Sequence, residues 1–212
     1  VTTDSPASFL AIETPQTSQF LFAVSERMPD NLPKKNEATI GYFTVVNDER
    51  TGWTGGLLVL DRAGRPLEFQ CTLPVRPTRA HEILFGPTLR SHLVAQVIGK
   101  LLLSKCRTPL SLICCDLPEG LKVESFTKSP VTLVLEATSQ DRHPISADSI
   151  SGSETVSIAG ATFLVAMERH AELEAIADFY NDLPDAVEPF ERIREAVKEA
   201  HSQLSRQNSE AA

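Results

Sequence analysis

The chain has 212 residues, 42% of them hydrophobic, with four cysteines and a formal net charge of −8. That is enough apolar material for one sizeable core, and it excludes a small disulfide-stapled fold, so free thiols in a reducing compartment are expected. No apolar stretch is long enough to span a bilayer, and the first residues lack a basic-then-apolar leader pattern, so a cytoplasmic location without membrane attachment is expected.

Residues 1–37 form a Pro-rich N-terminal segment with two short apolar runs, 9–12 and 20–24, each readable as an edge strand. Pro6, Pro15, Pro29 and Pro33 forbid long regular elements there, and residues 29–36 read as an exposed loop. An α+β core domain is expected over residues 38–184. Residues 39–46 are rich in β-branched and aromatic types and predict a strand. After a polar connection at 48–51, Gly55-Gly56 opens the next strand, which runs to Leu60, and residues 61–66 form a turn. From Leu67 to Leu73 apolar and polar residues alternate, with Leu67, Phe69, Cys71 and Leu73 on one side and Glu68, Gln70 and Thr72 on the other. That period of two predicts a half-buried strand of an antiparallel meander.

Pro74 and Pro77 end the strands, and a short helix or turn is expected over 78–85. The strongest helix follows at about 88–105, where Leu89, Leu93, Val94, Val97, Ile98, Leu101 and Leu102 make a broad apolar stripe at helical period. Residues 110–115 are almost wholly apolar and predict a strand buried on both faces; 130–136 predict another. Residues 138–154 are polar and turn-rich, an exposed mobile loop. A hairpin around Ala159-Gly160 precedes two C-terminal helices, about 171–183 and an acidic one within 185–205, and residues 206–212 read as a disordered tail. The expected architecture is an antiparallel-dominated mixed sheet of about six to eight strands, with the 88–105 helix across one face and the C-terminal helices beside it or extending outward.

The charge is unevenly spread. Residues 50–107 carry a net +6, flanked by −4 over 1–49 and −10 over 108–212. Either the basic and acidic regions neutralise each other within the fold, or the basic middle docks an acidic partner or an anionic ligand.

Sequence signatures of common chemistries are absent. Gly52-Trp-Thr-Gly-Gly56 has neither dinucleotide nor phosphate-loop spacing, and His81-Glu82 is followed by Phe85 where a zinc-protease helix needs its second histidine. Cys71, His81, Cys114 and Cys115 are zinc-compatible types, but nothing in their spacing demands a metal, so no metal and no cofactor is expected. Cys71 reads as a small core residue. Cys114 and Cys115 must point to opposite faces of their strand, and Cys115 with Asp116 stands at a strand's carboxyl end, where α/β sheets commonly carry ligands.

The most suggestive segment is Arg76-Pro-Thr-Arg-Ala-His-Glu82. It places two guanidinium groups and an imidazole just after a core strand, with Thr78 suited to cap a short helix whose start would favour an anion. Arg76, Arg79 and His81 are the candidate ligand-binding residues; His81, Glu82, Cys115 and Asp116 are the candidate catalytic ones. Trp53, the lone tryptophan, is either a core anchor or an interaction residue, and Arg62 and Arg65 in the preceding turn are further interaction candidates. Three functions compete. The leading expectation is a non-catalytic binding or assembly module with a protein partner or a second copy of itself. The alternative is an enzyme acting on a phosphorylated or otherwise anionic small molecule through Arg76, Arg79 and His81. The third is nucleic-acid contact through residues 50–107, which the overall acidity argues against.

Overall fold

The computed structural model describes residues 22–27, 38–138 and 150–210, with side chains for 38–138 and 150–203. The runs at 9–12 and 29–36, residues 139–149 of the polar loop and the last two residues lie outside the described residues.

The fold is α+β, built on one eight-stranded sheet in the order β1-β4-β3-β2-β5-β6-β8-β7. Strands β2 (Thr39–Asp48), β3 (Gly52–Asp61) and β4 (Pro66–Thr72) form an antiparallel meander, and β1 (Phe22–Arg27) adds antiparallel to β4 as one edge. On the other side of β2 lie β5 (Leu112–Cys115) and then β6 (Val131–Val134), both parallel. The hairpin β7 (Ser153–Ile158) and β8 (Ala161–Ala166) completes the sheet, with β8 antiparallel to β6. Five of the seven pairings are thus antiparallel. Residues 153 and 154, read from sequence as loop, already belong to β7.

Between β4 and β5 the chain forms α1 (Arg79–Phe85), a 3₁₀ turn at Gly86–Thr88 and a long helical run. The run comprises α2 (Leu89–Ser91), a π-helical segment His92–Gly99 and α3 (Lys100–Lys105). Its apolar stripe packs across one face of the sheet with the 3₁₀ helix Pro118–Phe126, burying Leu93, Val94, Ile98, Leu102 and Val123 against Val59, Ile113 and Leu133. After β8, α4 (His170–Ala177) and α5 (Glu188–Glu210) cover the other face, where Leu173, Phe190, Ile193 and Val197 bury Ile40, Tyr42, Cys114 and Phe163. The C-terminal helices therefore do not sit beside the 88–105 helix; they form a third layer. The sequence already contained the reason: β5 is apolar on both faces and needs cover on both. Helix α5 continues to Glu210, through most of the segment read as tail; no glycine or proline follows Pro189 in its first turn to stop it.

The double cover changes the reading of β4. Its polar side is not solvated: Glu68, Gln70 and Thr72 are each almost fully buried. The Glu68 carboxylate accepts the backbone N–H groups of Arg107 and Thr108 and the Thr108 hydroxyl, and Gln70 donates to it and to the Lys105 carbonyl. Burial pushes the Glu68 pKa up, but these bonds outweigh it and the net shift is downward. The network pins the end of α3 to the sheet.

Gly55 and Gly56 lie well inside β3 rather than at its start. A Cβ on Gly55 would stand 2.1 Å from Ile98 Cγ2 in the π segment, and one on Gly56 would stand 2.3 Å from Ile193 Cγ2 of α5. Consecutive residues of a strand face opposite sides, so each glycine seats one helix. Gly56→Ala should destabilise the fold by about 1–3 kcal/mol through overpacking, and Ile193→Ala in the same chain should remove much of that penalty. Urea unfolding of the two single variants and the double variant measures this; strict additivity would show that α5 does not rest on Gly56.

Candidate functional site at the carboxyl rim of the central strands

The parallel strands β2 and β5 point their carboxyl ends the same way, β2 running on to Asp48 past the Phe43–Cys115 pair where β5 ends, and the direction of strand order reverses at this pair, since the meander grows from one side of β2 and β5–β6 from the other. Crevices outside such carboxyl ends are the usual ligand sites of α/β sheets. The start of β3 and the exit of β4 lie at this rim too, because Trp53 pairs with Asn47 and makes two backbone hydrogen bonds to Val75. The rim therefore gathers Trp53 and Arg76 on one flank and Asp116 on the other.

On the α5 side, Asp116 follows β5 directly and is 2% exposed. Its Oδ2 accepts from the Thr44 hydroxyl at 2.8 Å and from Arg194 at 2.5 Å, while its Oδ1 is buried with no hydrogen-bond partner among the described residues. Burial pushes its carboxyl up to about 6, and the Arg194 charge and the two hydrogen bonds only partly offset that. About two turns further along α5, Thr54 Oγ1 lies 2.9 Å from His201 Nε2, and burial holds that imidazole below its ordinary value. Phe190, Arg194, Val197 and His201 recur at helical spacing, so one face of α5 carries both the core anchors and the two polar partners. Arg194 and His201 were the residues that the sequence reading missed. Their signal was a charged and an imidazole side chain in register with an apolar stripe.

On the other flank, Arg90 donates to Glu119 at 2.6 Å and its guanidinium lies 5.4 Å over the Trp53 ring. Trp53 is partly buried against the core below the helical run, so it is an anchor whose ring also carries a cation. Arg76 donates its Nε to the Thr51 carbonyl at 3.1 Å. Thr78 caps α1 reciprocally: its hydroxyl accepts the His81 N–H, and its own N–H donates to His81 Nδ1, both at 3.3 Å. The cap takes up the His81 N–H at the start of α1. Arg79 pairs with Glu82 at 2.8 Å on the exposed face of α1.

The remaining candidates stand elsewhere. Arg65 pairs with Asp61 in the β3–β4 turn, at the opposite end of β4 from Arg76, and exposed Arg62 sits in the same turn. Cys115 is fully buried on the side of the helical run, donates its thiol to the Thr132 carbonyl, and is pushed well above its ordinary pKa by burial and by Asp116. It stays protonated at neutral pH and is not an activated nucleophile. Cys114 points the other way, into the core under α4 and α5, with its thiol pushed up to about 12. Among the described residues no group of three or more metal-ligating side chains gathers, and no helix is long and apolar enough to cross a membrane. A concavity lined by residues 150–155 and His170 lies at the β7 edge, away from all of these candidates. No protein-family model matches the chain, and no curated protein is significantly similar to it.

The Asp116 shift has a measurable consequence. Its folded-state pKa lies above its unfolded value, so the group favours folding at about pH 4, and that contribution is lost as pH rises through about 6. The stability of the wild type relative to Asp116→Asn should therefore fall by up to about 3 kcal/mol between about pH 4 and pH 7. Urea unfolding of both proteins across this range tests it; a difference that stays flat with pH would show that Asp116 ionises normally.

Proposed function

We propose that the chain binds and acts on a small anionic molecule at the Arg76 flank of this rim. One observation carries the reading: Arg76 and His81 are each held by a single nitrogen to the backbone, and among the described residues their other donors stay unspent. Arg76 is tied through Nε to Thr51, and no carboxylate pairs with it among the described residues, which leaves both Nη groups. His81 accepts at Nδ1 from Thr78, so the neutral ring carries its proton on Nε2. Side chains fixed in advance lose little freedom when a ligand arrives, and a guanidinium fork matches phosphate and carboxylate oxygens. Trp53–Val75 pairing and Pro77 stiffen the backbone that presents them. In this reading Arg76 takes the anion and His81 donates a proton or hydrogen bond to it. Arg79 supplies a second positive charge, moderated by Glu82.

A melting-temperature screen against inorganic phosphate, pyrophosphate, small dicarboxylates and nucleotides identifies the anion, because a ligand of the native state raises the midpoint by mass action. Arg76→Ala should weaken binding of that anion roughly tenfold or more, the usual worth of a charge-assisted hydrogen bond, with little change in the melting point of the free protein, since Arg76 is exposed. A wild type indifferent to every anion, or an Arg76→Ala protein that binds equally well, sinks the proposal.

A further inference from the structure

The glycine-rich segment that matches no nucleotide motif begins at Gly52, and this residue touches the candidate site directly. Its φ is +104°, a region that residues with side chains rarely adopt. A Cβ there would stand 2.7 Å from the Val75 carbonyl oxygen and 2.9 Å from Cγ of Arg76. The aliphatic stem of Arg76 therefore lies against bare backbone, in a space that a side chain at position 52 would take.

The same residue aims the carbonyl that holds Arg76. The Arg76 Nε–H donates to the Thr51 carbonyl, which belongs to the peptide joining Thr51 to Gly52. That peptide is planar, so rotation about φ of Gly52 turns the carbonyl as a unit relative to β3. Trp53 meanwhile keeps β3 in step with Val75 through two backbone hydrogen bonds. A residue confined to negative φ would swing the carbonyl away from Arg76. On the other side of the peptide Asp48 fixes Thr51: its Oδ1 accepts from the Thr51 N–H at 2.8 Å, the Arg50 N–H at 2.9 Å and the Thr51 hydroxyl at 3.1 Å. A hairpin turn often asks for a glycine in its own right. Gly160 in the β7–β8 hairpin is that case, with φ of +79° but no atom within 4 Å of where its Cβ would stand. Gly52 differs because the space it leaves is filled by Arg76.

We propose that Gly52 is the positioning residue of Arg76: it admits the arginine stem and turns the Thr51 carbonyl onto Nε, with Asp48 bracing the turn from behind. Its role in binding rests on the anion reading; the hold on Arg76 does not.

Proton exchange at the arginine Nε–H groups, followed by NMR at mildly acidic pH, reads the hold directly, with the Arg76 signal assigned by its loss in Arg76→Ala. In the wild type this proton should exchange several-fold more slowly than that of exposed Arg62, and in Gly52→Ala as fast. Affinity for inorganic phosphate should fall about tenfold in Gly52→Ala, as in Arg76→Ala, and no further in the double variant. Gly160→Ala carries the same kind of backbone strain and should also lower the melting temperature, yet leave the Arg76 signal and the phosphate affinity unchanged. Should Gly52→Ala fail to fold, Asp48 decides. Asp48→Ala should release the Arg76 proton, whereas Asp48→Asn, which loses the same charge but keeps the acceptor oxygen, should retain the hold. A wild-type Arg76 proton that exchanges as freely as that of Arg62 overturns the proposal. So does a folded Gly52→Ala protein that keeps the slow proton, or an Asp48→Asn protein that behaves like Asp48→Ala. A slow proton released by Gly52→Ala, in a protein indifferent to every anion of the melting screen, upholds the hold on Arg76 and removes the anion reading alone.

Discussion

Two helices from distant parts of the chain press against the sheet at adjacent residues, Gly55 and Gly56, where a Cβ would stand 2.1 Å from Ile98 Cγ2 and 2.3 Å from Ile193 Cγ2. No other pair of residue types would admit Ile98 from one side and Ile193 from the other at those separations. Glycine in a strand gives up packing surface and conformational entropy. Here the cost is offset by the depth to which both layers seat, with Ile98 and Ile193 fully buried. The position of α5 on β3 then decides which of its residues reach the rim. With Ile193 over Gly56, Arg194 falls beside Asp116 and His201 beside Thr54. The polar chemistry of the α5 side of the rim is thus a consequence of where two hydrogens replace two side chains.

A sheet covered on both faces buries polar groups along with apolar ones, and the two buried carboxylates show opposite outcomes. Glu68 is surrounded by donors that follow the end of α3, and its hydrogen bonds hold it ionised despite burial. Each Glu68 oxygen accepts at least two of those donors, so the network holds the buried charge in place. Asp116 has donors on one oxygen only, and desolvation prevails in spite of Arg194. Deeper desolvation and fewer hydrogen bonds at Asp116 than at Glu68 give one carboxylate that serves as a fixed anchor and another pushed up to about 6. A carboxyl perturbed by desolvation and one charge partner beside a strand's carboxyl end is a candidate for a functional group.

Much of the fold was legible because its signals are local. The β-branched run from Thr39, the wholly apolar segment before Asp116 and the broad stripe around Leu93 and Ile98 each declare their element within a dozen residues. Thr78 ahead of His81 likewise announced the cap of α1. What could not be read depends on partners remote in sequence. The alternation of β4 shows two faces but not that both are covered, because the groups that satisfy Glu68 lie about forty positions further on. Gly55-Gly56 reads as a strand opening until Ile98 and Ile193 are placed over it. Arg194 resembles any surface arginine of an acidic helix; only its register with Phe190 and Val197 hints that it turns inward. The sequence singled out the segment 76–82 but could not show that the Thr51 carbonyl holds Arg76.

The fates of the arginines tie the charge asymmetry to the local geometry. Arg79 and Arg192 find carboxylates three or four residues away on their own helices, and Arg65 finds Asp61 in its own turn. Arg194 reaches Asp116 only because α5 is seated, and Arg90 reaches Glu119 only because the 3₁₀ helix after β5 lies under the helical run. Arg76 follows a strand rather than a helix, with Pro77 behind it, so no carboxylate stands one helical turn away to neutralise it. Thr51, brought alongside by the Trp53–Val75 pairing, offers a backbone carbonyl instead, which orients the guanidinium without cancelling its charge. An arginine that is positioned but not neutralised keeps its attraction for an anion from outside. The same pairing that closes the meander onto the helical layer therefore leaves this charge available at the rim.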